Sequence, residues 1–141
     1  MTTARDLMTE EAACVRTTDT LLTAAQQMRD LGLGAMPICG EDDRLAGVIT
    51  DRDIVVKCVA DGGDPSSIQV EQLAEGKPVT IGADDDIEEA LRTMISHDVR
   101  RLPVIDGHRL VGMLSQADIA QQFPQETGRL MADLATSPDN S

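Results

Sequence analysis

Two four-residue patterns in this chain have the residue types and spacing to do chemistry: Thr50-Asp51-Arg52-Asp53 and Ser115-Gln116-Ala117-Asp118. A hydroxyl followed three residues later by a carboxylate matches the capping box, in which each side chain satisfies the other residue's backbone N–H at a helix start. The same pair has the groups to hold a ligand. An ionised carboxylate is an acceptor suited to two hydroxyl donors, and the first turn of a helix favours phosphate. The two roles are compatible on one box.

Arg100 and Arg101 precede Leu102-Pro103 in the second half and offer the forked guanidinium contact that suits phosphate. The competing reading is a strand with one solvated arginine and one paired to nearby acids. Arg52, between two aspartates, reads as neutralised locally, and Glu41-Asp42-Asp43 would repel a polyphosphate if it pointed into a first site. The second box, with Arg100 or Arg101 assisting, is therefore the better anion site. His97 and His108 lie on different elements with no third ligand at metal spacing, so no metal is expected. Two carboxylates without a base, nucleophile or oxyanion donor do not make an enzyme.

Composition bounds the rest. A net charge of −13 argues against nucleic acid, whose binding draws on Lys and Arg neutralising phosphates. A small anion answers to the charges lining its pocket, because salt screens the distant total. One Phe, no Trp and no Tyr leave aliphatic walls and backbone to grip any planar ligand. No run approaches the roughly 20 apolar residues that cross a bilayer. A soluble, cytoplasmic protein without nucleic-acid or membrane partners is expected.

The elements that must carry the two boxes occur twice. Pro37 matches Pro103, 66 positions on (103 − 37), while Gly47 matches Gly112 and Asp53 matches Asp118 at 65 (112 − 47, 118 − 53). Thr3 with Asp6 forms a further box ahead of a short helix, a strand follows at Cys14 to Arg16, and Asp19 or Thr20 opens a long helix. That helix carries Leu21, Ala24 or Ala25, Met28 and Leu31 on one stripe and ends at Gly32 and Gly34. A strand through Met36-Pro37, a second strand to Ile49 and a helix after Thr50 complete the half, with Ile54, Val55, Cys58 and Val59 expected inward.

Asp64-Pro65-Ser66-Ser67 is the natural seam, with the proline pre-set for a helix start. Val70, Leu73 and Ala74 then repeat Ala4, Leu7 and Met8, a strand at Val79 to Ile81 echoes Val15 to Thr17, and Ile87, Ala90, Leu91 and Met94 line the next helix. Asp106-Gly107 is a hairpin signal, and Pro124 closes the last helix. From Gln125 the apolar content is too low to offset ordering entropy, so a loose tail is expected. The boundaries read as 1–63, 64–124 and a tail over 125–141. Each half has helices on one side of its sheet only, so the expected product is a pseudo-twofold α/β sandwich.

With these residues in hand, the chain resembles a tandem pair of CBS motifs, a Bateman module. The resemblance rests on AMPIC and RLPVI, on LAGVIT and LVGMLS, and on the closing TDRD and SQAD. It implies two βαββα-type motifs packed sheet against sheet with helices outside, dimerising into a disc. It also implies a regulatory or sensor module that takes AMP, ADP, ATP or S-adenosylmethionine in clefts between the motifs. Carried over residue by residue, Asp53 with Thr50 and Asp118 with Ser115 would serve ribose and phosphate. Backbone near Val15-Arg16, Met36-Pro37, Val79-Thr80 and Leu102-Pro103 would hold the base. Size and organisation are also similar to small bacterial stress proteins of the hypoxic response type. The alternative is a ligand-free structural or stress-response protein acting through dimerisation or an unknown protein partner.

In the family's unit the strands beside Cys14 and Cys39 are close, which makes that pair a disulfide candidate. The aligned positions in the second half read as Pro78 and Ile105, so the fold itself does not demand cysteine there. A reducing cytosol is the opposing consideration.

Overall fold

A computed structural model of the chain describes residues 1–10, 13–74 and 77–135. It is a mixed α/β structure with two small sheets. In chain order the elements are α1 (Ala4–Leu7), β1 (Thr9–Glu10), β2 (Val15–Arg16), α2 (Leu21–Leu31), β3 (Ala35–Cys39), β4 (Leu45–Thr50) and α3 (Asp51–Ile54). There follow β5 (Ile81–Gly82), α4 (Ile87–Ser96), β6 (Arg101–Asp106), β7 (Arg109–Ser115), α5 (Gln116–Gln122) and α6 (Pro124–Ala135). Short 3-10 turns at Glu41–Asp43 and Val70–Gln72 and a π-helical turn at Val55–Val59 fill the connections.

The chain forms two compact units. A central unit runs Ala13–Pro78, and a terminal unit joins Met1–Ala12 to Val79–Ser141. The central sheet has the order β2-β3-β4 and the terminal sheet β1-β7-β6-β5. Each pairs a two-residue strand parallel to a longer one, which then runs antiparallel to its hairpin partner. Even the irregularity repeats, with register shifts between Ile38 and Cys39 and between Val104 and Ile105.

The units cut across the repeat as it runs in sequence. Helix α1 packs with the second copy, where Ala4 is fully buried, and the Val70–Gln72 turn packs with the first, where Val70 is fully buried. This exchange accounts for the glycine of each hairpin. A Cβ on Gly47 would stand 3.1 Å from the Ala74 side chain, and one on Gly112 would stand 2.6 Å from Met8 Sδ and 2.7 Å from the Thr9 carbonyl oxygen.

Amphipathic spacing places the cores as expected over much of the chain. Leu21, Ala24 and Met28 are buried on α2, and Ile87, Ala90, Leu91 and Met94 on α4. Thr20 caps α2 by accepting from the Thr23 N–H, Gly32 ends it at φ 69°, and Asp86 caps α4. Other expectations are corrected. Leu31, Val55 and Val59 are exposed. After α3 the Ala60 N–H reaches back five residues to the Val55 carbonyl, so Ile54 and Cys58 keep the inward face while Val55 and Val59 turn outward. Pro65 starts no helix. Asp64 instead accepts from the Ser66 N–H and from the Ser66 and Ser67 hydroxyls, closing a turn.

Strand β5 begins at Ile81, so Val79 and Thr80 precede it and are no strand edge. Register decides this. Val15 pairs Ile38 and Ile81 pairs Val104, an offset of 66 in both strands (81 − 15, 104 − 38). Arg16 N–H donates to the Asp19 carboxylate just as Gly82 N–H does to Asp85. Cys14 therefore matches Thr80, not Pro78.

The stretch expected to be a loose tail forms α6 over 124–135, and residues 136–141 lie outside the described ones. Pro124 takes the first helical position, where its missing N–H costs nothing, and Leu130 and Thr127 are buried. Leu130, packed over the α4 and α5 face, anchors a segment whose average composition looked too polar. Strand β1, with no alternating pattern of its own, is held by β7.

Candidate functional site

Both boxes form as their spacing requires. Thr50 N–H donates to Asp53 Oδ2 at 3.1 Å and Asp53 N–H donates to Thr50 Oγ1 at 3.0 Å. Ser115 N–H donates to Asp118 Oδ2 at 3.1 Å and Asp118 N–H to Ser115 Oγ at 3.0 Å. The strand before each box is held alike, since Asp51 N–H donates to the Gly34 carbonyl and Gln116 N–H to the Arg100 carbonyl.

The second oxygen of each aspartate distinguishes them. Asp53 Oδ1 lies 3.5 Å from Lys57 Nζ, with the side chains 25% and 37% exposed. Asp118 Oδ1 has no hydrogen-bond or ion-pair partner among the described residues. The residue matching Lys57 is Gln122. Charge differs as well. Register sets Ala35 against Thr50 and Arg101 against Ser115, so the positions of Arg100 and Arg101 are Gly34 and Ala35 in the first copy. There, Asp51 Oδ2 stands 3.2 Å from where a Gly34 Cβ would be.

In the terminal unit the structure brings Arg100, Arg101 and Ser115 onto one groove of about 420 Å³. Gln116, Ala117, Ala120 and, from α6, Thr127 and Met131 complete its lining, to which Asp118 does not belong, and Gln116 Nε2 donates to Met131 Sδ at 3.0 Å. Neither arginine has an ion-pair partner among the described residues. Leu102 and Pro103 are buried on β6, and Val79 is half-buried against the terminal core. In the central unit Val15, Met36 and Pro37 are buried in the sheet. Arg16 is committed locally, donating from Nη1 to the Gly40 carbonyl at 2.9 Å and pairing with Asp43 at 3.4 Å. The α6 wall of the groove was not foreseen; Thr127 and Met131 at helical spacing were the available signal.

Cys14, Cys39 and Cys58 are free thiols. Burial, then a hydrogen bond with Cys14, pushes the Cys39 thiol up to about 12. His97 ends α4, with Nδ1 3.0 Å from the Thr93 carbonyl, while His108 is exposed beyond Gly107. Among the described residues no three His, Cys, Asp or Glu side chains are grouped to hold a metal, and no helix is long and apolar enough to cross a membrane.

The family model for the CBS domain matches residues 4–59 and 70–124. Hypoxic response protein 1 of Mycobacterium tuberculosis is 50% identical over 125 residues, 89% of this chain and 87% of its own length. A crystal structure of Hypoxic Response Protein I with two coordinated zinc ions superposes with a TM-score of 0.81 at 50% identity, covering 87% of this chain and all of that one. The CBS domain protein PAE2072 from Pyrobaculum aerophilum, complexed with AMP, shares the fold at a TM-score of 0.78 and 23% identity, over 94% of this chain and 99% of that one.

Proposed function

Because the chain belongs to the CBS domain family, we propose that it is a non-enzymatic regulatory module that takes an adenosine nucleotide at the Ser115–Asp118 box. One observation carries this reading: one groove presents Arg100, Arg101 and Ser115, and Ser115 shares its capping box with Asp118, whose Oδ1 is unclaimed among the described residues. The carboxylate is an acceptor for ribose hydroxyls, and the guanidinium forks suit phosphate. A groove of about 420 Å³ is within the usual size of small-molecule sites. The AMP held by PAE2072 on the same fold supports the choice of ligand class. The module is read as soluble, cytoplasmic and without nucleic-acid partners.

Circular-dichroism melts with AMP, ADP, ATP and S-adenosylmethionine test the reading. Ligand at 100 times Kd stabilises by about 2.7 kcal/mol, a rise in Tm of roughly 5 to 11 °C for a chain of this size. Asp118→Ala should remove the rise. No rise with any of the four at millimolar concentration rejects nucleotide binding.

A second reading is a ligand-free stress-response protein that works through its surfaces as a homodimer. It is favoured by Leu22, Leu31, Val55, Val56 and Val59, which α2 and the helix after Thr50 leave exposed. Light scattering on Val55→Glu/Val59→Glu checks it, with a shift from dimer to monomer expected. Oxidation of Cys14 and Cys39 to a disulfide would strengthen such a protein, two thiols losing two electrons and two protons to a disulfide or peroxide oxidant. Alkylation of all three cysteines without reductant, read by mass spectrometry, ends that part of the proposal.

A further inference from the structure

Away from the Ser115 groove, α4, α5 and α6 of the terminal unit, with Thr2, line a second, half-open pocket of about 170 Å³. Its walls are Ile87, Leu91, Ile119, Phe123 and Leu130. Phe123 is the only aromatic residue in the chain. A pocket of this size with apolar walls has room for a benzene-sized body. At the accessible rim stand three carboxylates, Asp86, Glu88 and Glu126, against one guanidinium, Arg129. Asp86 is engaged in capping α4 and Glu88 pairs with Arg92, but Glu126 has no partner among the described residues. The repeat shows that this space is particular to the terminal unit. The positions of Leu91 and Phe123 are Ala25 and Cys58 in the first copy, which has no counterpart of α6.

We propose that this cavity is a binding site for a compact apolar molecule carrying one positive charge, of the arylalkyl-ammonium class. The apolar body fills the space under α6, and the cation stays at the rim against Glu126, the rim carboxylate without a partner among the described residues. Phe123 adds an aromatic surface of the kind that attracts a cation.

Benzylamine is the probe, with benzyl alcohol and benzoate as matched neutral and anionic controls. Benzylamine should raise Tm by several degrees at saturation, benzyl alcohol by less, and benzoate not at all. Methyl NMR shifts should concentrate on Leu91, Ile119 and Leu130. Leu91→Phe, which fills the cavity, should abolish the shift. Since that change risks overpacking, Glu126→Gln on the exposed helix face gives a second arm. It should weaken benzylamine about two- to fivefold, as for an exposed ion pair, and leave benzyl alcohol unchanged. The proposal is overturned if benzylamine leaves Tm and the three methyl groups unmoved, if Leu91→Phe binds as well as the parent, or if benzoate matches benzylamine. Light scattering that shows the rim closed by a second copy, with no response to any probe, would equally overturn it.

Discussion

The two capping boxes are the same to within 0.1 Å in their hydrogen bonds, yet their surroundings differ in charge. In the central unit Lys57 occupies the spare oxygen of Asp53, and Asp51 crowds Gly34. In the terminal unit the matching positions are Gln122, Gln116 and Arg100, which leave Asp118 Oδ1 unclaimed among the described residues. The backbone device has kept its geometry while the side chains around it set whether an anion is welcome. A capping box therefore says where a helix starts; its neighbours say whether it can also hold a ligand.

The largest effect should come from the glycines. Gly112→Ala would drive its Cβ into the backbone of β1 and is expected to cost about 2–3 kcal/mol, as overpacking does. Gly47→Ala meets side chains alone, Ala74 Cβ at 3.1 Å and Ile38 Cδ1 at 3.7 Å, and should cost about 1 kcal/mol, so denaturant melts that rank the two equally would break the comparison.

Next is the buried thiol that the first copy has where the second has Ile105. Cys39 rises from 9.0 to about 12 on folding, chiefly through burial. Its contribution is fully present below pH 9 and is lost as pH climbs towards 12, at a slope approaching about 1.4 kcal/mol per pH unit. Melts between pH 8 and 11 should show this loss, and Cys39→Ala should flatten it.

Converting the basic pair to the first copy's residues, Arg100→Gly/Arg101→Ala, should weaken AMP about tenfold, as two solvent-exposed ionic contacts would. Calorimetry reads this, and unchanged affinity would separate the arginines from the site. The smallest expected effect is the lysine exchange. Gln122→Lys should cover Asp118 Oδ1 and weaken AMP two- to fivefold, whereas Lys57→Gln should cost the fold no more than about 0.5 kcal/mol.

Much of this was legible in the residues because it is local. A box spans four residues, a helix stripe recurs every three or four, and a hairpin turn takes two, so the helix start at Asp19 or Thr20, the turn at Gly107 and both Thr/Ser-to-Asp pairs declare themselves. The Lys57 ion pair, four residues from Asp53 on one helix, was readable by the same rule and was passed over. Val79-Thr80 was misplaced because the apolar run Val79 to Ile81 has two acceptable registers, and only pairing with β6 selects one.

By itself, then, the sequence determined the repeat, the mixed α/β class and the paired caps, all of which follow from short-range hydrogen bonding and periodic burial. Tertiary structure alone decided that α1 serves the second copy and that α6 folds down on Leu130, with Thr127 and Met131 walling the Ser115 groove. It also decided that Val55 and Val59 face outward. The reason is that burial belongs to surfaces brought together from distant segments: a largely polar helix gains its stability from the face it meets, which its own composition does not record.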